Sequence, residues 1–315
     1  PPGTLGIASK GRPESAATTP GCAGSPVPAA AGVASSAEGA QPASREAATT
    51  VAGFGQLDVA LLPRLTASLG ARVDRLRLST TDRLLDDGDD SGASRFTETS
   101  YSGGLVWQLM GEHRLYANVA TAFESPSFTE FARHDGGAGF NPDIRPQESL
   151  NREIGLRNGF DAQWHYELTL FSVRVDDEIT PFESEGRTFF QNAARTKRDG
   201  VEATLIWRPL PPLTLTGSYS YARLRFDRFV DTEGNDLSGN ELPGIPRGNG
   251  FLEAAWRVSE RGFAALDAQF VDSRYAENAN QLRVAGHTLV NARAGMEHRF
   301  GDLRVEFFGG VNNLL

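Results

Sequence analysis

The sequence predicts an all-β chain, an antiparallel transmembrane β-barrel fragment of about twelve strands preceded by a disordered N-terminal segment. Three observations predict this fold class. Apolar and polar residues alternate with period two along most of the chain, the links between these segments are short and long in turn, and four tryptophans mark the same end of their segments. These features are typical of a barrel that crosses a membrane with strands.

The N-terminal part of the chain has a different composition from the rest. Residues 1–46 are mainly Ala, Gly, Pro, Ser and Thr, with almost no large apolar side chains. Such a segment buries too little apolar surface to offset its ordering entropy. We therefore expect disorder over 1–46 and a partial β-barrel over 47–315. The single cysteine, Cys22, excludes an intrachain disulfide.

Alternation of apolar and polar residues identifies the strands. Leu69, for example, lies between Ser68 and Gly70 in a run of the pattern. The predicted strands lie near 50–61, 65–76, 98–109, 114–123, 148–157, 164–176, 188–207, 213–226, 250–257, 262–271, 286–297 and 303–314. Near Phe171 the apolar parity reverses, which predicts a β-bulge there.

The links between the predicted strands alternate in length. Short links lie at Pro63, 110–113, 158–163, 209–212, 258–261 and 300–302; long links lie at 77–97, 124–147, 177–187, 227–249 and 272–285. This alternation is typical of outer-membrane barrels, with short periplasmic turns and long extracellular loops.

Four tryptophans lie within a few residues of short links. They are Trp107, Trp164, Trp207 and Trp256. Their common position predicts an aromatic girdle at the periplasmic membrane interface. The alternative is a set of core tryptophans in a soluble protein.

Five segments, taken together, resemble one known family. They are residues 115–130; Asn141–Ser149, similar to an "NPxLxPE" segment; Asn192 followed by Gly200 and Glu202, similar to an "N…GxE" strand; Leu242–Pro246, similar to an "lpgiP" segment; and Asn312, Asn313 and Leu314, similar to an "NNLF" signature with Leu315 in place of the aromatic residue. In this order and at this spacing they resemble the TonB-dependent outer-membrane receptors.

The resemblance implies a 22-stranded barrel whose asparagine-rich signature lies on the penultimate strand. Counting back from that signature, we expect this chain to hold roughly strands ten to twenty-one. The plug domain, the TonB box and the last strand would then be absent. We further expect the fragment to remain an open sheet, because its strand tilt suits a wider cylinder than twelve strands would form.

Candidate ligand-binding and metal-binding residues are few. Arg133 and His134 lie in a long link, where they could contact a ligand. A second candidate is a calcium loop of the form D-x-D-x-S-G-x5-E. Its metal-binding oxygens would come from Asp87, Asp89, Ser91 and Glu98.

Charge and motifs exclude several function classes. The net charge of -9 argues against a nucleic-acid partner. No GxGxxG, GxSxG, HExxH or paired CxxC occurs, so we expect no enzyme activity and no resident cofactor.

The resemblance implies an outer-membrane receptor and transporter of a Gram-negative bacterium, with a metal chelate as cargo. A ferric siderophore is the family's commonest cargo. Expected partners are outer-membrane lipid and lipopolysaccharide, the small-molecule chelate, and the TonB complex through the missing N-terminal region. The alternatives are a self-contained small channel or enzyme barrel, and a soluble β-rich binding protein.

Overall fold

The computed structural model describes residues 44–85, 89–133, 137, 139–159, 163–184, 186–301 and 303–315. Their strands are β1 (Ser44–Leu62), β2 (Leu65–Asp82), β3 (Gly92–Gln108), β4 (Arg114–Glu124), β5 (Gln147–Arg157), β6 (Trp164–Ser184), β7 (Arg187–Leu210), β8 (Leu213–Arg228), β9 (Gly248–Ser259), β10 (Gly262–Val271), β11 (Arg274–Tyr275), β12 (Arg283–Val284), β13 (His287–Phe300) and β14 (Leu303–Val311). A 3-10 turn spans Phe128–Phe131. Among these residues, no helix is long and apolar enough to cross a bilayer.

Twelve strands form one antiparallel sheet. Its order is β1-β2-β3-β4-β5-β6-β7-β8-β9-β10-β13-β14, so nearly every strand pairs with its neighbours in sequence. β11 and β12 pair with each other in a separate two-stranded sheet. Among the described residues no ladder joins β1 to β14, and the sheet is open. The twelve predicted strands and the expected open sheet are confirmed.

Several strands extend further at the long-link end than the sequence predicted. β1 begins at Ser44, so residues 44–46 belong to a strand and not to the predicted disordered segment. The remainder of that segment, 1–43, lies outside the described residues. β2 continues to Asp82 and β3 starts at Gly92, which shortens the link between them. The extension follows the inward-facing Leu78 and Phe96, which pack in one apolar cluster.

The predicted long link at 177–187 is wrong. β6 and β7 continue as a hairpin to Ser184 and Arg187, with Gly186 in the turn at a φ of 74°. The acidic run at 176–178 is typical of a loop, but Phe182 pairs with Phe189 across the hairpin and their ring centroids lie 6.0 Å apart. Apolar cross-strand pairs of this kind stabilise a hairpin beyond the membrane.

The predicted bulge near Phe171 is also wrong. Register is continuous there, with Phe171 opposite Gly200, and the shift falls between Val175 and Glu178. Asp177 occupies the shift with a φ of 54°. The parity reversal has another cause: Leu170 lies exposed on one face, whereas Val175 is buried on the opposite face. Apolar side chains therefore change face along this strand without a break in pairing.

The two faces of the sheet differ in polarity. The outer face, defined by Leu69 and the four tryptophans, carries large exposed apolar side chains. Trp164 lies directly opposite Trp207 on this face, next to the short links as predicted. The inner face carries polar pairs, among them Arg72 Nε with Asp74 Oδ2 at 2.7 Å. This is the expected polarity of a barrel with its apolar surface turned outward.

Candidate functional site

The candidate site lies at the long-link end of the inner face, where links fold back onto the strands. Phe131, in the 3-10 turn between β4 and β5, is only 1% exposed. Its ring stacks on Phe140, with centroids 4.5 Å apart and an interplanar angle of 8°. Leu78 of β2 and Ile144 complete the buried part of this first apolar cluster. Stacked aromatic rings fix the β4–β5 link against the sheet.

Asn192 of β7 joins this link to the β6–β7 hairpin. Its Oδ1 accepts a hydrogen bond from the Arg145 N–H at 2.8 Å, and its Nδ2 donates to the Arg145 carbonyl at 2.9 Å. The same Nδ2 donates to the carbonyl of Asp177 at 2.7 Å. A side-chain amide that satisfies both backbone groups of one residue acts like a short piece of strand. The two family-like segments at 141–149 and at Asn192 therefore contact each other.

A second apolar cluster anchors the β8–β9 link. Phe226 and Phe229 are buried, with ring centroids 4.6 Å apart, and they pack with Ala194. Leu237 and Leu242 from the link pack against them. Leu242, the first residue of the segment resembling "lpgiP", thus has a packing role.

Asn280 repeats the amide clamp between two other links. Its Oδ1 accepts from the Glu241 N–H at 2.7 Å, and its Nδ2 donates to the Glu241 carbonyl at 2.9 Å. Asn280 has a φ of 60°, a conformation that asparagine tolerates better than most residues. The β8–β9 and β10–β13 links are therefore held together by one side chain.

The motif positions Gly200 and Glu202 lie on β7. An added Cβ at Gly200 would lie 2.5 Å from the Tyr221 carbonyl oxygen and 2.6 Å from the Phe171 ring. The glycine thus allows an aromatic ring to lie across the strand. Glu202 pairs in register with Thr169 and Ser220, and its side chain has a partner.

We expect Gly200→Ala to destabilise the protein by about 1–3 kcal/mol, because a backbone oxygen cannot move aside as a side chain can. Gly103→Ala is the matched control, since its Cβ would meet only side-chain atoms of Leu69 and Val119 at 3.7 Å. Denaturant unfolding from lipid vesicles measures both changes. Equal midpoints for the two variants would contradict the packing argument.

The asparagine-rich signature docks on β13. The Asn313 N–H donates to Asn291 Oδ1 at 3.1 Å, and the Leu314 N–H donates to the Val290 carbonyl at 2.8 Å. Asn291 in turn donates to Asp267 at 2.7 Å. Asn313 has a φ of 55°, which again suits asparagine. The neighbouring Asn312 is exposed, and its position is the first after β14.

The remaining predicted residues are not assembled into one site. Arg133 follows the 3-10 turn and lies close to Gly137, whereas His134 lies outside the described residues. Asp87 of the predicted calcium loop also lies outside them. Ser91 donates its N–H to Asp89 at 2.9 Å, but Glu98 lies within β3 opposite Asp74.

Strand geometry explains why the calcium loop does not form. Seven residues of extended chain separate Ser91 from Glu98 by roughly 23 Å, whereas a calcium loop wraps its ligands around one ion. In the described part of the chain, no group of three or more His, Cys, Asp or Glu side chains is placed to hold a metal.

Carboxylates in the long links hold local turns. The pKa of Asp231 is lowered by hydrogen bonds from the Asn235 side chain and then its backbone N–H. The pKa of Glu277 is lowered by the N–H of Leu282, with a smaller contribution from Gln281. Because both pKa values are lowered, the ionised forms stabilise the turns at neutral pH, and that contribution is lost on acidification.

Sequence reasoning missed Phe131, Phe140 and Asn280. The first two were signalled only by the clustering of phenylalanines within a polar link, and Asn280 by the Asn-rich run at 278–280. Together with Asn192, these residues pack and orient links by apolar contact and hydrogen bonding. Such an arrangement can present a fixed surface to a ligand, and it requires no covalent chemistry.

Comparisons with known proteins agree with this architecture. The family model described as "TonB dependent receptor-like, beta-barrel" matches residues 18–314. The chain is 24% identical over 210 residues to the iron-regulated outer membrane virulence protein of Vibrio cholerae, covering 61% of this chain and 30% of that protein. It is 24% identical over 212 residues to the vitamin B12 transporter BtuB of Photobacterium profundum, covering 66% and 32%.

Structural similarity extends over most of the chain. The ferric yersiniabactin uptake receptor FyuA from Yersinia pestis superposes with a TM-score of 0.65 at 18% identity, covering 85% of this chain and 46% of that one. The chain thus spans about a third of the length of the two curated relatives and under half of this receptor. The family model matches nearly the whole chain, so the protein belongs to the TonB-dependent receptor β-barrel family, a family of outer-membrane receptors and transporters and not of enzymes.

Proposed function

We propose that this chain is the barrel part of a receptor that imports a scarce metal chelate, a ferric siderophore, across the outer membrane. Of the alternatives, the soluble binding protein and the enzyme barrel are wrong, because the family is an outer-membrane family of transporters. The open sheet gives no support to a self-contained small channel. In this proposal the metal is cargo, and the protein carries no resident cofactor.

The observation that carries the proposal is the organisation of the long links. The β4–β5 link packs on the inner face through Phe131 and is fixed by Asn192. The β8–β9 and β10–β13 links are joined through Asn280. A receptor needs extracellular segments that are held in place over the lumen, because preorganisation lowers the ordering entropy of ligand capture.

The choice of an iron chelate depends on the relatives. Two of the three similar proteins are named for iron regulation or ferric-chelate uptake, and the third for vitamin B12. The sequence identities are low, so cobalamin is the main alternative cargo. We further propose that the intact protein draws energy from the TonB complex, through a region that this chain does not contain.

Deletion of the gene encoding this chain in its host tests the proposal. We expect loss of uptake of at least one class of ⁵⁵Fe-loaded siderophore, hydroxamate or catecholate, with uptake of ⁵⁷Co-cyanocobalamin unchanged. Deletion of the host's TonB protein should abolish the same uptake. A selective loss of cyanocobalamin uptake would establish the alternative cargo, and unchanged uptake of every probe would overturn the proposal.

A further inference from the structure

A one-sided belt of cations lies on the outer face. Its members project from the same face as Leu69 and the tryptophans, on strands between β2 and β8. They are Arg75, Arg77, Arg95, Arg152, Arg174, Lys197, Arg223 and Arg225. At the long-link end of the outer face, β10 and β13 carry the uncharged Phe270 and Thr288 instead. We call these eight residues the outer cation belt.

Cations in the belt lie directly opposite one another. Arg174, Lys197 and Arg225 are register partners on three adjacent strands, β6, β7 and β8. Arg77 and Arg95 are register partners on β2 and β3. Directly opposed like charges destabilise a sheet, so this arrangement requires compensating negative charge.

The chain supplies only part of that compensation. Arg174 Nε lies 3.2 Å from Asp176, and Lys197 Nζ lies 3.1 Å from Asp199. By contrast, five arginines form no ion pair or side-chain hydrogen bond with any residue in the described ranges. They are Arg75, Arg77, Arg95, Arg152 and Arg223. The remaining compensation must come from outside the chain, or the charges are left to solvent.

The position of the belt relative to the tryptophans identifies the surroundings. Arg174 lies ten residues beyond Trp164 on β6, and Lys197 lies ten residues before Trp207 on β7. With a rise of about 3.3 Å per residue and a tilt of about 40°, this separation is roughly 25 Å along the membrane normal. The apolar band of an outer-membrane barrel has about that height. The belt therefore lies at the headgroup level of the leaflet on the long-link side.

The belt is also wide enough for a large headgroup. It runs from β2 to β8, which at about 4.8 Å per strand spacing is roughly 29 Å across. Arginine binds phosphate with two parallel N–H donors, and it desolvates more easily than lysine. Seven of its eight members are arginine. A headgroup that carries several phosphates can contact many of them at once.

We propose that the outer cation belt binds the phosphate groups of lipopolysaccharide, the phosphorylated glycolipid of the outer leaflet. Its acyl chains would cover the apolar band between the belt and the tryptophans, and its phosphates would neutralise the opposed arginines. The proposal depends on the outer-membrane location and not on the identity of the cargo.

The test compares variants of the protein purified from outer membranes. One variant combines Arg174→Gln, Lys197→Gln and Arg225→Gln, and a second combines Arg77→Gln with Arg95→Gln. Arg257→Gln, at the short-link end of β9, is the control for a general loss of positive charge. Co-purified lipopolysaccharide is measured by native mass spectrometry, and affinity is measured with purified lipopolysaccharide, its dephosphorylated form and phosphatidylglycerol vesicles. A gel-mobility assay for the heat-sensitive barrel confirms that each variant is folded.

We expect each belt variant to bind lipopolysaccharide about tenfold or more weakly, because charge-assisted hydrogen bonds are lost. Arg257→Gln should bind as the parent does, and the parent should bind the dephosphorylated form as weakly as the belt variants do. Salt should weaken parent binding more than variant binding. Unchanged binding by both folded variants, or equal binding of phosphatidylglycerol by the parent, would overturn the proposal.

Discussion

Asn192→Ala is expected to release the β4–β5 link from the sheet. The substitution removes three hydrogen bonds, two to Arg145 and one to Asp177. At about 1 kcal/mol net for each, local stability should fall by about 2–3 kcal/mol. That loss corresponds to roughly a 30- to 150-fold increase in the hydrogen-exchange rate of the segment around Arg145. Hydrogen-exchange mass spectrometry in lipid nanodiscs measures it directly.

Two variants sharpen this experiment. Asn192→Asp keeps the acceptor for the Arg145 N–H but loses both donors, so its exchange rate should lie between those of the parent and the alanine variant. Gln191→Ala changes the neighbouring amide side chain, for which no hydrogen bond is recorded in the described residues, and should leave exchange unchanged. If exchange around Arg145 is the same in Asn192→Ala and Gln191→Ala, the clamp does not hold the link.

Loss of the clamp should also reduce uptake of the cargo. A released link must be ordered again when the ligand binds, and this cost appears as weaker affinity. The barrel itself should unfold at the same denaturant concentration as the parent, since β6 and β7 remain paired along most of their length. Weaker affinity without loss of barrel stability distinguishes a positioning role from a structural one.

Period-two alternation predicted all twelve sheet strands, because the outer face is apolar between its two ends. Leu69, Leu170 and Trp207 are exposed there, and a soluble fold would bury such residues. The alternation identifies a strand only where one face is apolar and the other polar. Around Phe171 and Val175 the apolar side chains move to the inner face, and the sequence therefore suggested a bulge that the register does not contain.

Strand ends and link contacts were harder to predict for a related reason. Beyond the apolar band, both faces of β6 and β7 meet water or other links, so polar residues such as Glu178 and Glu183 are compatible with strand as well as loop. Link contacts depend on partners distant in sequence: Asn192 bonds to Arg145, 47 residues away. Nothing local in the sequence specifies that contact. The resemblance identified Asn192 as a motif position, but its role required coordinates.

The membrane-facing assignment of the outer face can be tested at two adjacent residues of β2. Leu69 is 60% exposed on the outer face, opposite Leu57 and Gly103. Ser68 faces inward, where its hydroxyl donates to Asp58. We expect Leu69→Arg to reduce the free energy of unfolding from a bilayer by about 2–4 kcal/mol, because it places a guanidinium in hydrocarbon near mid-membrane.

Ser68→Arg should cost less than about 1 kcal/mol, because the new cation lies beside the carboxylate of Asp58 in a polar environment. The two variants carry the same added charge on the same strand, one residue apart, so general effects on folding or expression cancel. Repeating the measurement in vesicles of longer and shorter lipids adds a second dimension, because only a lipid-facing arginine should respond to the thickness of the hydrocarbon. Equal penalties at the two positions would show that the outer face does not contact lipid.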